Sequence, residues 1–174
     1  MNQELQNQLF EKYPQLFANK DKSPRESLMY FGIEVGDGWH EILSNLCSMI
    51  KQHEDNIRSR KEYLSKNNPE KLALAQEYFS VKFDQIKEKF GGLRIYFSGG
   101  DNYVDGLVNM AEAISYHICE ICGDKGEANK SGWISVRCEA HRNFKRNPLD
   151  NTDTPCILRP YGSIHTNNRI YQNL

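Results

Sequence analysis

Two short half-sites, one at each end of a segment near the C-terminus, constrain this chain more than any other feature. Cys119-Glu120-Ile121-Cys122-Gly123 is followed, after a polar run through Trp133, by Cys138-Glu139-Ala140-His141. Each half-site sets two donors two residues apart, so one tight turn can press both against a single ion. Residues 123–137 lie between the halves, the kind of separation at which two such pairs share one zinc. Zinc takes four tetrahedral ligands from thiolate sulfur and imidazole nitrogen. Cys119, Cys122, Cys138 and His141 supply all four and leave no position for a substrate. The expected cofactor is therefore a structural zinc ion. The competing reading is four unrelated residues that fall at these spacings by chance.

Composition makes such a staple useful. The chain has 174 residues, of which 39% are hydrophobic, enough for a modest core. Its 22 basic and 23 acidic residues leave a net charge of −1, which argues against a protein that coats nucleic acid by bulk charge. A local basic patch stays open. No apolar run approaches the length that spans a bilayer. The opening residues Met1 to Phe10 lack the basic region and apolar core of a signal peptide. Five cysteines is an odd number. Three belong to the metal set, Cys47 sits in a helical pattern and Cys156 lies in the tail. A reducing cytoplasm suits this better than a disulfide scaffold.

The periodicities describe a mixed chain. Residues 2–12 read as a short helix with Leu5, Leu9 and Phe10 on one side, ended by Tyr13-Pro14. Phe31 to Val35 alternates like a short strand. Gly36-Asp37-Gly38-Trp39 follows. Its two glycines admit two readings: a turn that lets a ligand approach the backbone, or a helix start with Asp37 as N-cap, which is preferred. Trp39 is then a core residue whose indole N–H needs a partner. Residues 40–64 are helical, with Ile42, Leu43, Leu46, Cys47 and Ile50 in one stripe and a polar far end. Residues 70–78 suggest a further short helix, with Leu72, Leu74 and Ala75 inward. The period then changes to that of a strand: Phe79, Val81, Phe83 and Gln85 alternate with Ser80, Lys82, Asp84 and Ile86. Leu93, Ile95 and Phe97 alternate with Arg94, Tyr96 and Ser98. The two runs read as an antiparallel hairpin joined across Gly91-Gly92. Asp101 offers a helix cap, and Val104, Leu107, Val108, Ala111, Ile114 and Ser115 follow at helical spacing.

The expected fold is α+β, a small antiparallel sheet packed on helices, with Leu43, Leu46, Ile50, Phe83, Leu93, Ile95, Leu107 and Ile114 in the core. Residues 1–118 form the main domain, 119–146 a zinc module packed on it without a linker, and 147–174 an extended C-terminal tail. Within the module, the turn-rich stretch before Trp133 to Arg137 suggests a hairpin, and Cys138 opens a helix that carries His141.

The order knuckle, hairpin, helix-borne ligand pair resembles the treble-clef group of zinc fingers over about Cys119 to Arg146. A second resemblance spans about Leu9 to His141. It rests on Gly36-Asp37-Gly38-Trp39, Lys87 to Arg94, Ser98-Gly99-Gly100-Asp101 and the two half-sites with Gly132-Trp133 between them. In these the chain is similar to uncharacterised proteins encoded by bacteriophages and prophages. That likeness implies a viral protein acting in the cytoplasm of a bacterial host cell, and transfers no activity.

Three functions compete. The first is a non-catalytic binding protein that captures a phosphate-bearing ligand, a nucleotide, a cyclic nucleotide signal or a short nucleic acid, to counter host defence. Lys87, Lys89 and Arg94 around the di-glycine hairpin, with Trp133, are its candidate ligand-binding residues, and Phe90 and Tyr96 are also available for stacking. The second is a protein–protein inhibitor of a host enzyme or defence protein, suggested by the polar helix end and the tail. The third is a metal-dependent nuclease, which the closed ligand set disfavours. His117 is its nearest spare histidine. No catalytic residue is assigned.

Overall fold

The computed structural model describes residues 1–73, 77–129 and 132–144. The tail 147–174, Cys156, Leu74 and Ala75 lie outside the described residues. The elements in chain order are α1 (Gln3–Lys12), β1 (Ile33–Glu34), α2 (His40–Asn67), α3 (Pro69–Ala73), β2 (Lys82–Lys89), β3 (Gly92–Ser98), α4 (Asn102–Ser115), β4 (Glu127–Ala128) and β5 (Val136–Arg137), with short 3-10 turns between some of them. This is the expected α+β architecture.

The main sheet has the order β1-β2-β3. β2 and β3 are the antiparallel hairpin. β1 joins β2 in parallel, with Ile33 opposite Ile86 and Glu34 opposite Lys87, so the sheet is mixed. The turn differs from the one expected. Its central residues are Phe90 and Gly91, both at positive φ, 56° and 79°. This is the backbone whose twist matches the flanking strands. Gly92 already belongs to β3, paired with Lys89. It is needed for another contact: a Cβ there would lie 2.4 Å from the Tyr116 ring.

Strict alternation also fails in β2. The register shifts between Phe83 and Gln85, leaving Asp84 as an extra, bulged residue. Phe83 then opposes Phe97 while Ile86 opposes Ile95, so both point into the core and both are fully buried. Simple alternation had put Ile86 with the polar residues. Asn19 holds the bulge in place: its Nδ2 donates to Asp84 Oδ1 at 2.7 Å and to the Phe83 carbonyl at 3.3 Å.

The core lies between one face of this sheet and the helices. α2 buries Ile42, Leu43, Leu46, Cys47 and Ile50, and α4 buries Val104, Leu107, Val108 and Ala111. Phe17 joins the N-terminal segment to the sheet, with ring centres 5.0 Å from Phe10 and 5.2 Å from Phe83. The expected core residues are buried except Ile114, which is 41% exposed. Ser115 takes the inward position in the last turn of α4 instead. Its hydroxyl accepts from Leu93 N at 2.9 Å, while Glu112 Oε1 accepts from Ile95 N at 2.9 Å. These two side chains satisfy the outer edge of β3, which would otherwise offer unpaired N–H groups to another strand.

Two local expectations change. Residues 77–80 have no regular structure, so the helix expected over 70–78 does not reach Tyr78. The Phe79 carbonyl accepts from Gly100 N at 2.7 Å, which takes it out of any helical ladder. Asp37 does not cap α2: a 3-10 turn over Asp37–Trp39 leads into that helix, and no side chain caps it. The Asp37 carboxylate accepts instead from the backbone and side-chain nitrogens of Asn2, each at 2.7 Å. Asn2 is itself the N-cap of α1.

Asp101 does cap α4, as expected. Its Oδ1 accepts from Tyr103 N at 3.0 Å and Val104 N at 3.2 Å, and its Oδ2 lies 2.8 Å from His53 Nε2 on α2. Burial pushes this carboxyl up, but the His53 bond and the N–H donors outweigh it and hold the group below the ordinary aspartate range. A depressed folded-state value gives stability that is complete above the unfolded-state value and is lost as pH falls through the folded one. Asp101→Ala is expected to lose about 1–2 kcal/mol in urea unfolding at neutral pH. The gap should close in acid, once the parent carboxyl is protonated. A gap unchanged in acid would contradict this role.

Candidate metal centre and its seat in the fold

The four donors expected from the sequence come together. Cys119 Sγ is 3.7 Å from His141 Nδ1, Cys122 Sγ is 3.6 Å from Cys138 Sγ, and Cys138 Sγ is 3.1 Å from His141 Nδ1. All four donor atoms fall within 4.8 Å of one another. Sulfurs about 2.3 Å from a tetrahedral zinc stand about 3.8 Å apart. The spacing is thus that of a site for one ion, and too long for a disulfide.

Local sequence explains the geometry. Gly123, at φ 81°, turns the chain after the second cysteine so that its N–H reaches the Cys119 carbonyl at 2.9 Å. β4 and β5 pair antiparallel, Glu127 with Arg137 and Ala128 with Val136, and bring Cys138 back to the knuckle. A single 3-10 turn over Glu139–His141 then presents the histidine. Within the described residues this replaces the helix expected after Cys138. The arrangement resembles a treble-clef module.

The thiols show why a cation is wanted. Burial pushes Cys119 up, but backbone N–H groups of Cys138, Cys122 and Ile121 together overcome it and hold this thiol below the ordinary range. Cys122 moves the other way. Burial raises it, and the neighbouring Cys138 and Cys119 sulfurs raise it further. The backbone stabilises one thiolate; several side by side need a metal ion. The donor set is therefore one capable of coordinating a metal, and its soft sulfur-rich chemistry suits zinc.

The knuckle does not stand apart from the main domain. Gly36-Asp37-Gly38-Trp39 is pressed against it. Gly38 N donates to the Glu120 carbonyl at 2.8 Å, and Trp39 Nε1 donates to the Ile118 carbonyl at 3.0 Å. A Cβ on Gly38 would meet the Cys119 carbonyl oxygen at 2.2 Å and Gly123 N at 2.4 Å. A Cβ on Gly36 would meet the Glu120 carbonyl at 2.2 Å. The close approach at this turn is made by the metal knuckle of the same chain rather than by a ligand.

Sequence reasoning missed the polar pair beneath this contact. Glu120, between the two knuckle cysteines, is almost fully buried. Its Oε1 accepts from Gly36 N at 3.0 Å and its Oε2 accepts from Arg137 Nη1 at 2.9 Å. The signal was available: an acidic and a basic residue each sit beside a metal ligand, Glu120 after Cys119 and Arg137 before Cys138.

The candidate ligand-binding residues are distributed as follows. Lys87 lies opposite Arg94 in the sheet, and Lys89 opposite Gly92. Arg94 is already engaged. Its Nη2 donates to the Tyr116 hydroxyl at 2.8 Å, and its Nη1 to the Leu93 carbonyl at 2.7 Å and to Glu112 Oε2 at 3.4 Å. The tip of the hairpin touches the metal module, since a Cβ on Gly91 would meet Ile134 Cγ2 at 2.8 Å. Trp133, the next residue back, is 80% exposed, and Asn129 Nδ2 holds its carbonyl at 2.7 Å. His117 is exposed.

The buried pair gives a test of the junction. Arg137→Ala leaves the Glu120 carboxylate buried without its cation and is expected to cost about 3–5 kcal/mol. Glu120→Ala with Arg137→Ala should cost clearly less than the sum of the single changes, because the two act as one unit. Additive losses in denaturant unfolding would show that the pair is not coupled.

No helix among the described residues is long and apolar enough to cross a membrane. No family model, curated protein or solved structure matches the chain, so the bacteriophage resemblance gains no support from these comparisons and the reading of the site rests on its own geometry.

Proposed function

We propose that this chain is a zinc-stapled binding protein that captures a phosphate-bearing ligand on the polar face of its β2–β3 hairpin. Zinc is the ion, bound once per chain by Cys119, Cys122, Cys138 and His141, and its closed ligand set favours a structural role over a catalytic one. The observation that carries the binding role is a pair of cations outside any ion pair. Lys87 and Lys89 make no ion pair among the described residues. Their ammonium groups lie instead over the rings of Tyr96 and Phe90, at 5.2 and 5.5 Å. The exposed Trp133 belongs to the loop that the hairpin tip touches and offers a flat partner for a base. Arg94, tied to Glu112 and Tyr116, acts mainly by holding β3 to α4. In a bacteriophage setting, a protein of this kind withdraws a nucleotide signal from a host defence system.

A specific observation supports a second reading, an inhibitor that docks on a host protein. Phe90, Trp133 and Ile134 are all exposed around the hairpin tip, and exposed aromatics of this kind anchor protein interfaces.

Elemental analysis should find one zinc per chain, and Cys138→Ser should lose both the metal and most of the soluble protein. A thermal-shift panel of nucleotides and cyclic nucleotides then separates the two readings. A ligand present at about 100 times its Kd adds about 2.7 kcal/mol. Lys87→Ala with Lys89→Ala should abolish that shift while zinc content stays unchanged. If the unmutated protein shifts with no phosphate ligand, the protein-docking reading replaces this one.

A further inference from the structure

We infer that the ligand is an extended single-stranded nucleic acid laid along the β2 side of the hairpin's polar face, whose β3 side is covered at Gly92 and Arg94 by Tyr116; this rests on the phosphate-ligand reading above and narrows it. Register determines which side chains share that face, because opposed residues of an antiparallel pair project to the same side. Lys82 opposes Ser98, Gln85 opposes Tyr96, Lys87 opposes Arg94, and Lys89 opposes Gly92. The other side carries Phe83, Ile86, Leu93 and Ile95 and is buried. Lys82 and Lys87 are an odd number of positions apart, so an unbroken strand would place them on opposite faces. The bulge at Asp84 reverses this and brings Lys82, Lys87 and Lys89 into one row.

The row is basic within a chain whose net charge is −1. None of the three lysines has a carboxylate partner among the described residues. Glu34 is the carboxylate that the register puts beside Lys87, and Gln85 Nε2 donates to it at 3.3 Å. The Asp84 carboxylate is taken by Asn19. Tyr96 stands among the cations, 45% exposed, and Phe90 closes the tip at 65% exposed.

Length decides between a mononucleotide and a strand. At about 3.3 Å per residue, Lys82 and Lys89 are roughly 20 Å apart. The phosphates of one nucleotide cannot reach both ends of such a row, whereas successive phosphates of a strand can. Rings between cations give the bases flat surfaces to stack on, as single-strand binding requires.

The test is fluorescence anisotropy on the zinc-loaded full chain, with labelled oligothymidylate and oligouridylate of about three and about nine nucleotides and ATP as competitor. The longer oligomers should bind at least about tenfold more tightly than the shorter. A fourfold rise in salt should weaken them about twenty-fold, as three phosphate contacts on a single strand predict. Lys82→Ala and, separately, Tyr96→Ala should each weaken the long oligomer severalfold with zinc content unchanged, and Lys82→Ala should leave ATP binding unchanged. Preference between the two oligomers assigns the strand as DNA or RNA. If ATP binds as tightly as the long oligomer and Lys82→Ala has no effect, the strand inference is overturned and the phosphate-ligand reading stands. If no phosphate ligand binds at all, both fail.

Discussion

The backbone of Gly38 lies directly on the backbone of the metal knuckle, and this contact joins the knuckle to the turn that leads into α2. No other residue fits there, because the Cys119 carbonyl and the amides of Cys122 and Gly123 occupy the space a Cβ would need. The contact joins two things that each need the other. The knuckle carbonyls of Ile118 and Glu120 receive N–H groups from Trp39 and Gly38. In return, the first turn leading into α2 is fixed against a loop that gathers four donors closely enough to coordinate one metal ion. A chain with a lean core thereby gains a crosslink between its longest helix and its C-terminal segment. Metal affinity and folding are then parts of one equilibrium.

The same junction explains the polar cost that the fold accepts. Glu120 and Arg137 are taken out of water together, which is costly unless geometry is good and the remaining hydrogen-bonding atoms are used. Here the carboxylate also caps Gly36 N, so both of its oxygens are bound. Through Gly36 N and Arg137 the carboxylate links the turn before α2 to the strand that leads into Cys138. On the other side, the hairpin tip reaches the loop before β5 through Gly91. The hairpin tip and the turn thus both touch the metal module, and the exposed Phe90 and Trp133 lie beside the first of these contacts.

Much of this was legible in the sequence. The donor set could be read outright, because ligand chemistry and spacing are local. The hairpin, the stripe of α2 and the Asp101 cap could be read for the same reason. What could not be read depends on partners distant in sequence. Asp37 was expected to cap the helix that follows it, yet Asn2 claims its carboxylate. Ile114 was expected in the core, yet Ser115 is turned inward to serve the edge of β3. The bulge at Asp84 is held by Asn19, and it reverses the faces of half a strand, with consequences for both the core and the lysine row. The two glycines of the 36–39 turn were recognised as unusual, but only the fold identifies what comes so close to them.

Hydrogen exchange read by mass spectrometry, on the metal-loaded protein and after chelation, tests the central claim most directly. If the knuckle and the Gly36–Trp39 turn are one unit, removing the metal should strip protection from residues 36–46 together with residues 118–141. The β2–β3 ladder should lose protection later. Loss confined to residues 118–141, with the turn and the start of α2 as protected as before, would contradict the account.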